Sequence, residues 1–235
     1  MYIIANGGIN GHNSNTMEAI LLTKNASFID GVLIDVRLTF DNKLVVIRHD
    51  DLSKNTLGKG FVSKTKYSDL RKVKFSSKIY KYYIPTLEEV LINYQSKKIM
   101  ILNLHDAMGK NEILVNEIIK LIEKYDYNFY IETSSRDILE YLTIKALRYK
   151  IGPRFTSLPS ICNNNNMFFC DTLYNNTNVN INTYSNIIVR TINNEKELMM
   201  FLKNLDQSKH KDLLIISDNP KSVNCCINNK NYFFR

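Results

Sequence analysis

Two apolar runs of this sequence contain or end in polar residues of the kinds that do chemistry. Asp35 interrupts the first run, residues 31–39, and Arg48, His49 and Asp50 close the second run. Carboxylates hold cations, histidines move protons near neutral pH, and arginines bind phosphate. Because α/β proteins build their sites at the carboxyl ends of parallel strands, we interpret both runs as parallel strands that lead into one site.

Residue types alone leave the roles of these side chains open. Asp35 is either a metal ligand or a buried carboxylate that pairs with Arg37 or Arg48, since buried charges are usually paired. His49 is either a catalytic acid or base, or a histidine that is simply hydrogen-bonded at a strand end. The two possibilities require different neighbours, which only the fold can supply.

The apolar pattern of the remaining sequence predicts alternating strands and helices that would hold these residues. Strands are expected at residues 2–5, 31–39, 44–50, 99–104, 129–133, 151–155, 167–170, 187–192 and 213–216. Helices are expected at residues 17–21, 87–94, 112–125, 136–148 and 195–205. Thr86 and Glu89 form a capping-box pattern at the start of the second helix. Residues 163–186 are rich in asparagine and are interpreted mainly as loop.

About eight strands separated by helices or helix-length segments indicate βα units and a parallel sheet. The chain has 235 residues and is 44% hydrophobic, enough for one sizeable core. We therefore predict an α/β fold of the TIM (β/α)8 barrel type, with residues 1–235 forming a single domain. The sequence shows no internal repeat and no domain linker.

The net charge of +8 is concentrated in one segment. Residues 54–81 contain nine of the basic residues and one acid, Asp69, and six aromatic residues are interleaved over residues 54–83. We define residues 54–83 as the basic insert and expect it at the barrel mouth. It is either a solvated basic face or a surface for phosphates or anionic lipid headgroups. Nucleic acid is not expected, because no recognised binding motif accompanies the charge.

Cysteine usage and hydropathy indicate the compartment. None of the four cysteines forms a C-x-x-C pair, and the adjacent Cys225 and Cys226 would strain a mutual disulfide, so we expect reduced thiols. The opening apolar run is too short for a signal peptide, and no apolar stretch is long enough to span a membrane. We expect a cytoplasmic protein that can associate peripherally with membranes.

With these motifs in place, the chain resembles the glycerophosphodiester phosphodiesterases, metal-dependent barrel enzymes of the phospholipase C-like type. The similarity is strongest over residues 4–91. The segments that carry it are Ile4-Ala5-Asn6-Gly7-Gly8, Ser14-Asn15-Thr16, Leu33-Ile34-Asp35-Val36-Arg37-Leu38-Thr39, Val45-Val46-Ile47-Arg48-His49-Asp50, Ile84-Pro85-Thr86-Leu87-Glu88-Glu89-Val90-Leu91 and Ile215-Ile216-Ser217-Asp218-Asn219-Pro220. The resemblance implies the barrel fold and a phosphoric diester hydrolase of lipid metabolism.

The resemblance also implies a chemistry that needs two histidines as acid and base, and carboxylates that hold a divalent cation. This sequence departs from that pattern. Asn6 occupies the position of the first histidine, Gly7 that of a phosphate-binding arginine, and Leu33 that of a metal carboxylate. Because residues two apart on a strand face the same way, Leu33 and Asp35 share a face, and of this pair only Asp35 can bind a cation.

The second family histidine aligns in two ways. Without a gap, Arg48 occupies its position and His49 that of the following aspartate. With a slip of one residue, His49 and Asp50 restore the catalytic pair, provided that a bulge absorbs the change of face. The family's later Glu-x-Lys strand corresponds to Asn103-Leu104-His105, which leaves Asn103 as an uncharged second metal ligand.

These departures favour a degenerate, non-catalytic binding module, a pseudoenzyme for which we expect no cofactor. Its ligand would be a phosphate-bearing small molecule, an anionic membrane surface or a protein partner. The residues expected to contact phosphate are Asn6, Arg37, Arg48 and His105. The alternative is an active phosphodiesterase that cleaves glycerophosphodiesters with the displaced His49-Asp50 pair and holds Mg²⁺ or Ca²⁺ at Asp35 and Asn103. A third possibility is a scaffold subunit of a larger assembly.

Overall fold

The structure is a computed structural model that describes residues 1–9, 13–75, 82–146, 148–154, 170–175, 184–203, 205–206 and 210–228. Its strands are β1 (Tyr2–Asn6), β2 (Gly31–Leu38), β3 (Leu44–Val46), β4 (Ile99–Leu104), β5 (Asn128–Thr133), β6 (Lys150–Pro153), β7 (Cys170–Leu173), β8 (Asn186–Arg190) and β9 (Asp212–Ser217). Its helices are α1 (Met17–Asn25), α2 (Tyr67–Leu70), α3 (Leu87–Tyr94), α4 (Asn111–Ile122), α5 (Arg136–Lys145), α6 (Glu195–Leu202) and α7 (Pro220–Asn228).

Eight strands in the described part of the chain run parallel to one another. Their hydrogen-bonded order is β6-β5-β4-β2-β1-β9-β8-β7, with β3 attached to β2. This is the neighbour order of a (β/α)8 barrel opened between its fifth and sixth strands, and those two strands, β6 and β7, lie beside each other. The α/β class and the parallel sheet are thus confirmed. Within the described residues, the pairings form a curled, open sheet whose order is consistent with a TIM-like barrel.

The two faces of the sheet are covered by different cores. The inner face carries an apolar cluster, which we call the interior cluster, made of Ile4, Leu33, Ile99, Ile101, Tyr130, Ile188, Leu214 and Ile216. The outer face of the central strands packs against α1, α3, α4 and α5 through a larger cluster that includes Val32, Ile34 and Leu102. Strands buried on both faces need apolar residues on both, which explains why their sequences show runs without alternation.

The interpretation of residues 44–50 as a parallel strand is wrong. β3 pairs with β2 in the antiparallel sense, with Val36 opposite Val46. The connection over residues 39–43 is too short for a parallel crossover, which needs a dozen or more residues. After this hairpin the Ile47 N–H donates to the carbonyl oxygen of Asp35 at 2.9 Å. Arg48 therefore returns to the level of Asp35 by a hairpin and does not follow the carboxyl end of a parallel strand.

The basic insert packs over the exit of β3. Its small core consists of Val45, Ile47, Leu52, Val62, Leu70, Phe75, Tyr82 and Ile84. Asp50 anchors it: the Asp50 carbonyl oxygen accepts the Val62 N–H at 2.9 Å, and the carboxylate accepts the N–H and hydroxyl of Ser63, both at 2.9 Å. Residues 76–81 of the insert lie outside the described residues. The described part is fixed next to Arg48 and His49.

Most other elements begin close to the predicted positions. The capping box of Thr86 and Glu89 is confirmed at the start of α3, whereas α4 and α5 end three residues earlier than predicted. α7 was not predicted from the sequence, although Val223, Cys226 and Ile227 of this helix pack together in one apolar cluster. Residues 155 and 167–169 of two predicted strands lie outside the described residues.

Two further sequence expectations concern cysteines and membrane spans. Cys225 and Cys226 are free thiols, and Cys162 lies outside the described residues. No helix in the described ranges combines the length and the apolar character needed to cross a bilayer.

We expect Gly8→Ala to destabilise the fold by roughly 3 kcal/mol or more. Gly8 follows β1 with φ +114°, and a Cβ there would lie 2.5 Å from the carbonyl carbon of Ala19 in α1. Gly60 is a matched control, since its φ is +92° and no described atom lies within 4 Å of its Cβ position. Gly60→Ala should therefore cost only backbone strain, about 1 kcal/mol. Urea unfolding measures both losses, and equal losses would contradict a close contact between Gly8 and α1.

Candidate functional site

A layer of polar side chains lies directly above the interior cluster. Each member follows a residue of that cluster by two positions and therefore belongs to the same face of the sheet. The pairs are Ile4 and Asn6, Leu33 and Asp35, Ile101 and Asn103, Tyr130 and Glu132, Ile188 and Arg190, and Ile216 and Asp218. Register places Asp35 beside Asn103 and Asn103 beside Glu132. This polar layer lies at the carboxyl ends of the parallel strands, where barrels build their sites.

Asp35 is the centre of the layer and is 3% exposed. One carboxylate oxygen, Oδ2, accepts the Asn15 amide at 2.8 Å. The other, Oδ1, accepts the Asn103 amide at 2.7 Å and lies 2.8 Å from His105 Nε2. Asn15 also accepts the Asp35 backbone N–H at 2.9 Å. Three side chains from two other segments of the chain therefore satisfy this one carboxylate.

The protonation state of Asp35 follows from these contacts. Burial alone would raise its pKa, but the hydrogen bonds from His105 and Asn15 and the nearby positive charges lower the pKa to about 2. An ionised carboxylate only accepts hydrogen bonds, so His105 Nε2 must carry a proton and donate it. The 3.3 Å contact between His105 Nε2 and Asn103 Nδ2 then joins two donors that share one acceptor.

The two arginines do not pair with Asp35. Arg37 is half-buried, and its Nε donates to the backbone carbonyl of Arg48 at 2.9 Å. Arg48 is exposed and acts on Asp35 only through its charge, which lowers the pKa of that carboxyl. Asp35 is therefore a buried carboxylate, which is one of the two roles that the sequence left open. Its partners are two amides and a histidine, however, and not Arg37 or Arg48.

His49 and Asp50 have different surroundings in the structure. The Asp50 carboxylate is hydrogen-bonded to Ser63 of the basic insert. His49 belongs to the exposed residues, but part of its ring is covered. This partial burial and the charges of Arg48 and Arg37 lower the pKa of the ring. The ring is therefore neutral at pH 7, and among the described contacts it has no hydrogen bond to Asp50.

Asn6 lies on the other side of the polar layer. Its amide donates to Asp218 Oδ1 at 2.8 Å. Asn193 donates to the second oxygen of Asp218 at 3.3 Å and accepts the Asp218 N–H at 2.8 Å. Asn6 thus links β1 to the segments after β8 and β9. Its amide is engaged with a carboxylate in this arrangement.

Sequence reasoning missed three members of this region. Asn15 lies in the loop before α1 at φ +64°, and an amide in a loop gives no local signal of its role. Glu132 and Arg190 form a buried ion pair across 58 positions of sequence. A charged residue inside each apolar strand, together with the alternation of faces, could have assigned both to the polar layer.

The donors around Asp35 do not fit the divalent cation that the resemblance implies. Both Asp35 oxygens are occupied by N–H groups, and the Asn15 amide is fixed in this orientation because its oxygen accepts the Asp35 N–H. Among the described residues, no three His, Cys, Asp or Glu side chains are grouped to hold a metal ion. A hard cation needs several charged oxygens, which this arrangement lacks.

The family model and the curated relatives that match this sequence name the same kind of protein. Residues 6–160 match the model of the glycerophosphoryl diester phosphodiesterase family. A Bacillus subtilis relative, YhdW, is 38% identical over 104 residues, which are 41% of this chain and 42% of that protein. The glycerophosphodiester phosphodiesterase of Caldanaerobacter subterraneus is 30% identical over 130 residues, 52% of this chain and 54% of that one. The matches thus span about half the length of these relatives or less.

Solved structures show the same fold at low sequence identity. A phosphodiesterase from Oleispira antarctica, solved with its product sn-glycerol-3-phosphate, has a TM-score of 0.81 at 20% identity, covering 97% of this chain and 96% of that one. A glycerophosphodiester phosphodiesterase from Parabacteroides distasonis has a TM-score of 0.76 at 18% identity, covering 96% and 95%. These similarities establish the fold over nearly the whole chain.

We expect Asp35→Asn to remove an acid-sensitive part of the stability. The folded pKa of about 2 lies below the ordinary value of 3.8, so the carboxylate stabilises the native state by roughly 2 kcal/mol above pH 4. That contribution is lost as the pH falls towards 2. Urea unfolding from neutral to acidic pH should therefore give a steeper decline for the native chain than for Asp35→Asn.

The control for this measurement is Glu140→Gln. Glu140 is exposed on α5, and its carboxylate has no hydrogen bond or ion pair with any described residue. This variant should keep the native pH profile. Parallel profiles for the native chain and Asp35→Asn would show that the hydrogen bonds to Asp35 do not hold its pKa low.

Proposed function

The chain belongs to the glycerophosphoryl diester phosphodiesterase family, and on that premise we propose that its polar layer binds the phosphate of a glycerophosphodiester without metal-dependent cleavage. The sheet closes into a complete eight-stranded barrel in this proposal, with the polar layer as the floor of the mouth. The ligand phosphate lies over Asp35, on the side of Arg48 and His49.

One observation carries the loss of metal chemistry. Asp35 is the single carboxylate within β2 and β4, and three N–H donors, from Asn15, Asn103 and His105, already saturate it. A cation at Asp35 would have to displace these donors and would find amide hydrogens where it needs oxygens. Leu33, two residues earlier, is 1% exposed and packs in the interior cluster. It supplies no replacement ligand.

The arginines support the phosphate-binding part of the proposal. Arg37 Nε holds the Arg48 carbonyl, so the two cationic side chains belong to neighbouring parts of the hairpin exit. Neither guanidinium forms an ion pair within the described residues. Asp50, Asp35 and Asp106 act on Arg37 through their charges, but with no direct ion pair both guanidinium groups keep N–H donors that an anion can accept. A phosphodiester has the charge and the oxygens for this role.

The contact between Asp35 and His105 favours a second candidate function, cleavage of the phosphodiester without a metal. A carboxylate that holds Nε2–H orients the ring and leaves Nδ1 as the ring atom available for proton transfer. Arg48 would then supply the positive charge for the phosphate, and His49 a second proton-transfer group. The family's metal-dependent chemistry with a displaced His49-Asp50 pair is less well supported, because Asp50 is bound to Ser63.

We expect Arg48→Ala to weaken binding of sn-glycerol 3-phosphate by about tenfold to a hundredfold, because one charge-assisted contact is lost. Isothermal titration calorimetry with the native chain and the variant measures this. Arg148→Ala is the matched control. Arg148 is an exposed arginine between α5 and β6, near the start of a strand and away from the carboxyl ends that form the polar layer. Absence of binding to the native chain, or equal loss in both variants, would refute a phosphate site at Arg48.

We expect no hydrolysis of glycerophosphocholine above the uncatalysed rate with Mg²⁺, Ca²⁺ or Mn²⁺. Metal-dependent turnover that disappears in His49→Ala would overturn the proposal in favour of the family chemistry. Turnover in the presence of a chelator that falls on the order of a hundredfold or more in His105→Ala would establish the second candidate. Each outcome thus selects one of the three assignments.

A further inference from the structure

We propose that the described part of the basic insert, residues 54–75 and 82–83, is a docking surface for an anionic lipid bilayer. Three features of the described residues support this docking surface, whatever ligand binds at the polar layer: an excess of exposed positive charge, an exposed apolar loop tip, and cations held against aromatic rings.

The positive charge of the insert is exposed, and its basic side chains outnumber the carboxylates beside it, which are Asp41, Asp50, Asp51 and Glu89. All seven basic side chains in its described part are exposed, namely Lys54, Lys59, Lys64, Lys66, Arg71, Lys72 and Lys74. Asp69 is its one acid and pairs with Lys72 at 3.0 Å. Arg71 has a longer contact, 3.8 Å, with Glu89 outside the insert. The remaining charges form a field that attracts an anionic surface and falls off within a Debye length.

The loop over residues 57–61 presents apolar side chains at the tip of this field. Leu57 is 72% exposed and Phe61 is 45% exposed. Lys59 lies between them and is flanked by two glycines. The loop is held at both ends, because the Leu57 N–H donates to Lys74 at 2.9 Å and the Gly60 carbonyl accepts the Leu52 N–H at 2.9 Å. Two large apolar groups are thus held in water, where their exposure is unfavourable.

Aromatic rings in and beside the insert lie against cations. Lys64 Nζ is 5.3 Å from the centre of the Phe61 ring, and the Arg71 guanidinium is 5.9 Å from that of Tyr83. Near the insert, Lys110 Nζ is 5.1 Å from the Phe40 ring. Amphipathic pairs of this kind match the boundary between headgroups and acyl chains, where rings and lysine stems are buried and ammonium groups meet phosphate.

A bilayer accounts for more of these features than a polynucleotide does. Both would satisfy the lysines. The exposed aliphatic Leu57 has no counterpart on a phosphate backbone, and the rings of Phe61 and Tyr83 already face cations rather than open space for stacked bases. An acyl layer beneath anionic headgroups accepts both the leucine and the rings.

The first test is sedimentation of the native chain with vesicles of phosphatidylcholine, with and without phosphatidylserine. We expect binding only when phosphatidylserine is present, and progressive release as salt is added. No binding at low salt would overturn the proposal. The proposal would also be overturned if single-stranded DNA bound the protein more tightly than the vesicles do and displaced it from them, since this would assign the surface to nucleic acid.

Charge reversal within the insert provides the second test. The triple variant Lys54→Glu, Lys59→Glu and Lys66→Glu should bind phosphatidylserine vesicles at least about a hundredfold more weakly. The matched control is the triple variant Lys196→Glu, Lys203→Glu and Lys221→Glu, which changes the net charge equally through exposed lysines in or beside α6 and α7. The control should retain binding. Equal losses would show that net charge, and not this surface, drives association.

Removing the apolar tip provides the third test. The double variant Leu57→Ser and Phe61→Ser keeps every charge. It should weaken vesicle binding by about tenfold or more, because the two apolar groups that the bilayer would bury are lost. Its salt dependence should match that of the native chain. Unchanged binding would contradict insertion of the loop. Thermal unfolding of all variants, together with sn-glycerol 3-phosphate titration, separates loss of docking from loss of the fold or of the site at Arg48.

Discussion

One carboxylate that cannot reach water sets the architecture of this site. A buried aspartate is tolerated only where hydrogen bonds or opposite charges replace its hydration. Asn15 reaches Asp35 from the loop before α1, Asn103 from β4, and His105 from the residue that follows β4. The same electrostatic requirement therefore fixes the position of that loop, of β2 and of β4. Because Asn15, Asn103 and His105 satisfy both of its oxygens, this carboxylate has hydrogen-bond partners without a bound cation.

The polar layer is stable because of the apolar layer beneath it. Strand geometry places Leu33 directly below Asp35 on the inner face, and Leu33 packs with Ile4 and Ile101 instead of ligating anything. Burial of that side chain stabilises the interior cluster, whereas a carboxylate at position 33 would require a cation to offset its repulsion with Asp35. The departure from the family pattern is therefore consistent with the surrounding structure: a leucine below and amides beside the aspartate both favour a site without a metal.

Much of the fold was predictable because its signals are local or periodic. Apolar runs marked the parallel strands, Thr86 and Glu89 marked the start of α3, and the short motifs matched a known family. The direction of β3 was predicted wrongly because a short strand buried on both faces looks alike in either direction, although the five-residue connection excluded a parallel one. The role of Asn15 could not be predicted, since it depends on a contact with a residue 20 positions away. Chain topology, rather than residue type, determines such contacts.

The hairpin through β3 explains how positive charge reaches a site whose strands offer little room for it. A barrel strand contributes one inward side chain for every two residues, and here the inward positions are filled by the polar layer. By folding back, the chain brings Arg48 to the level of Asp35 from outside the parallel sheet, while Asp50 fastens the exit of the hairpin to Ser63. The cations beside the site and the lysines of the basic insert thus belong to one continuous segment. Their fields add at the same end of the sheet, and an anion that approaches this end meets both.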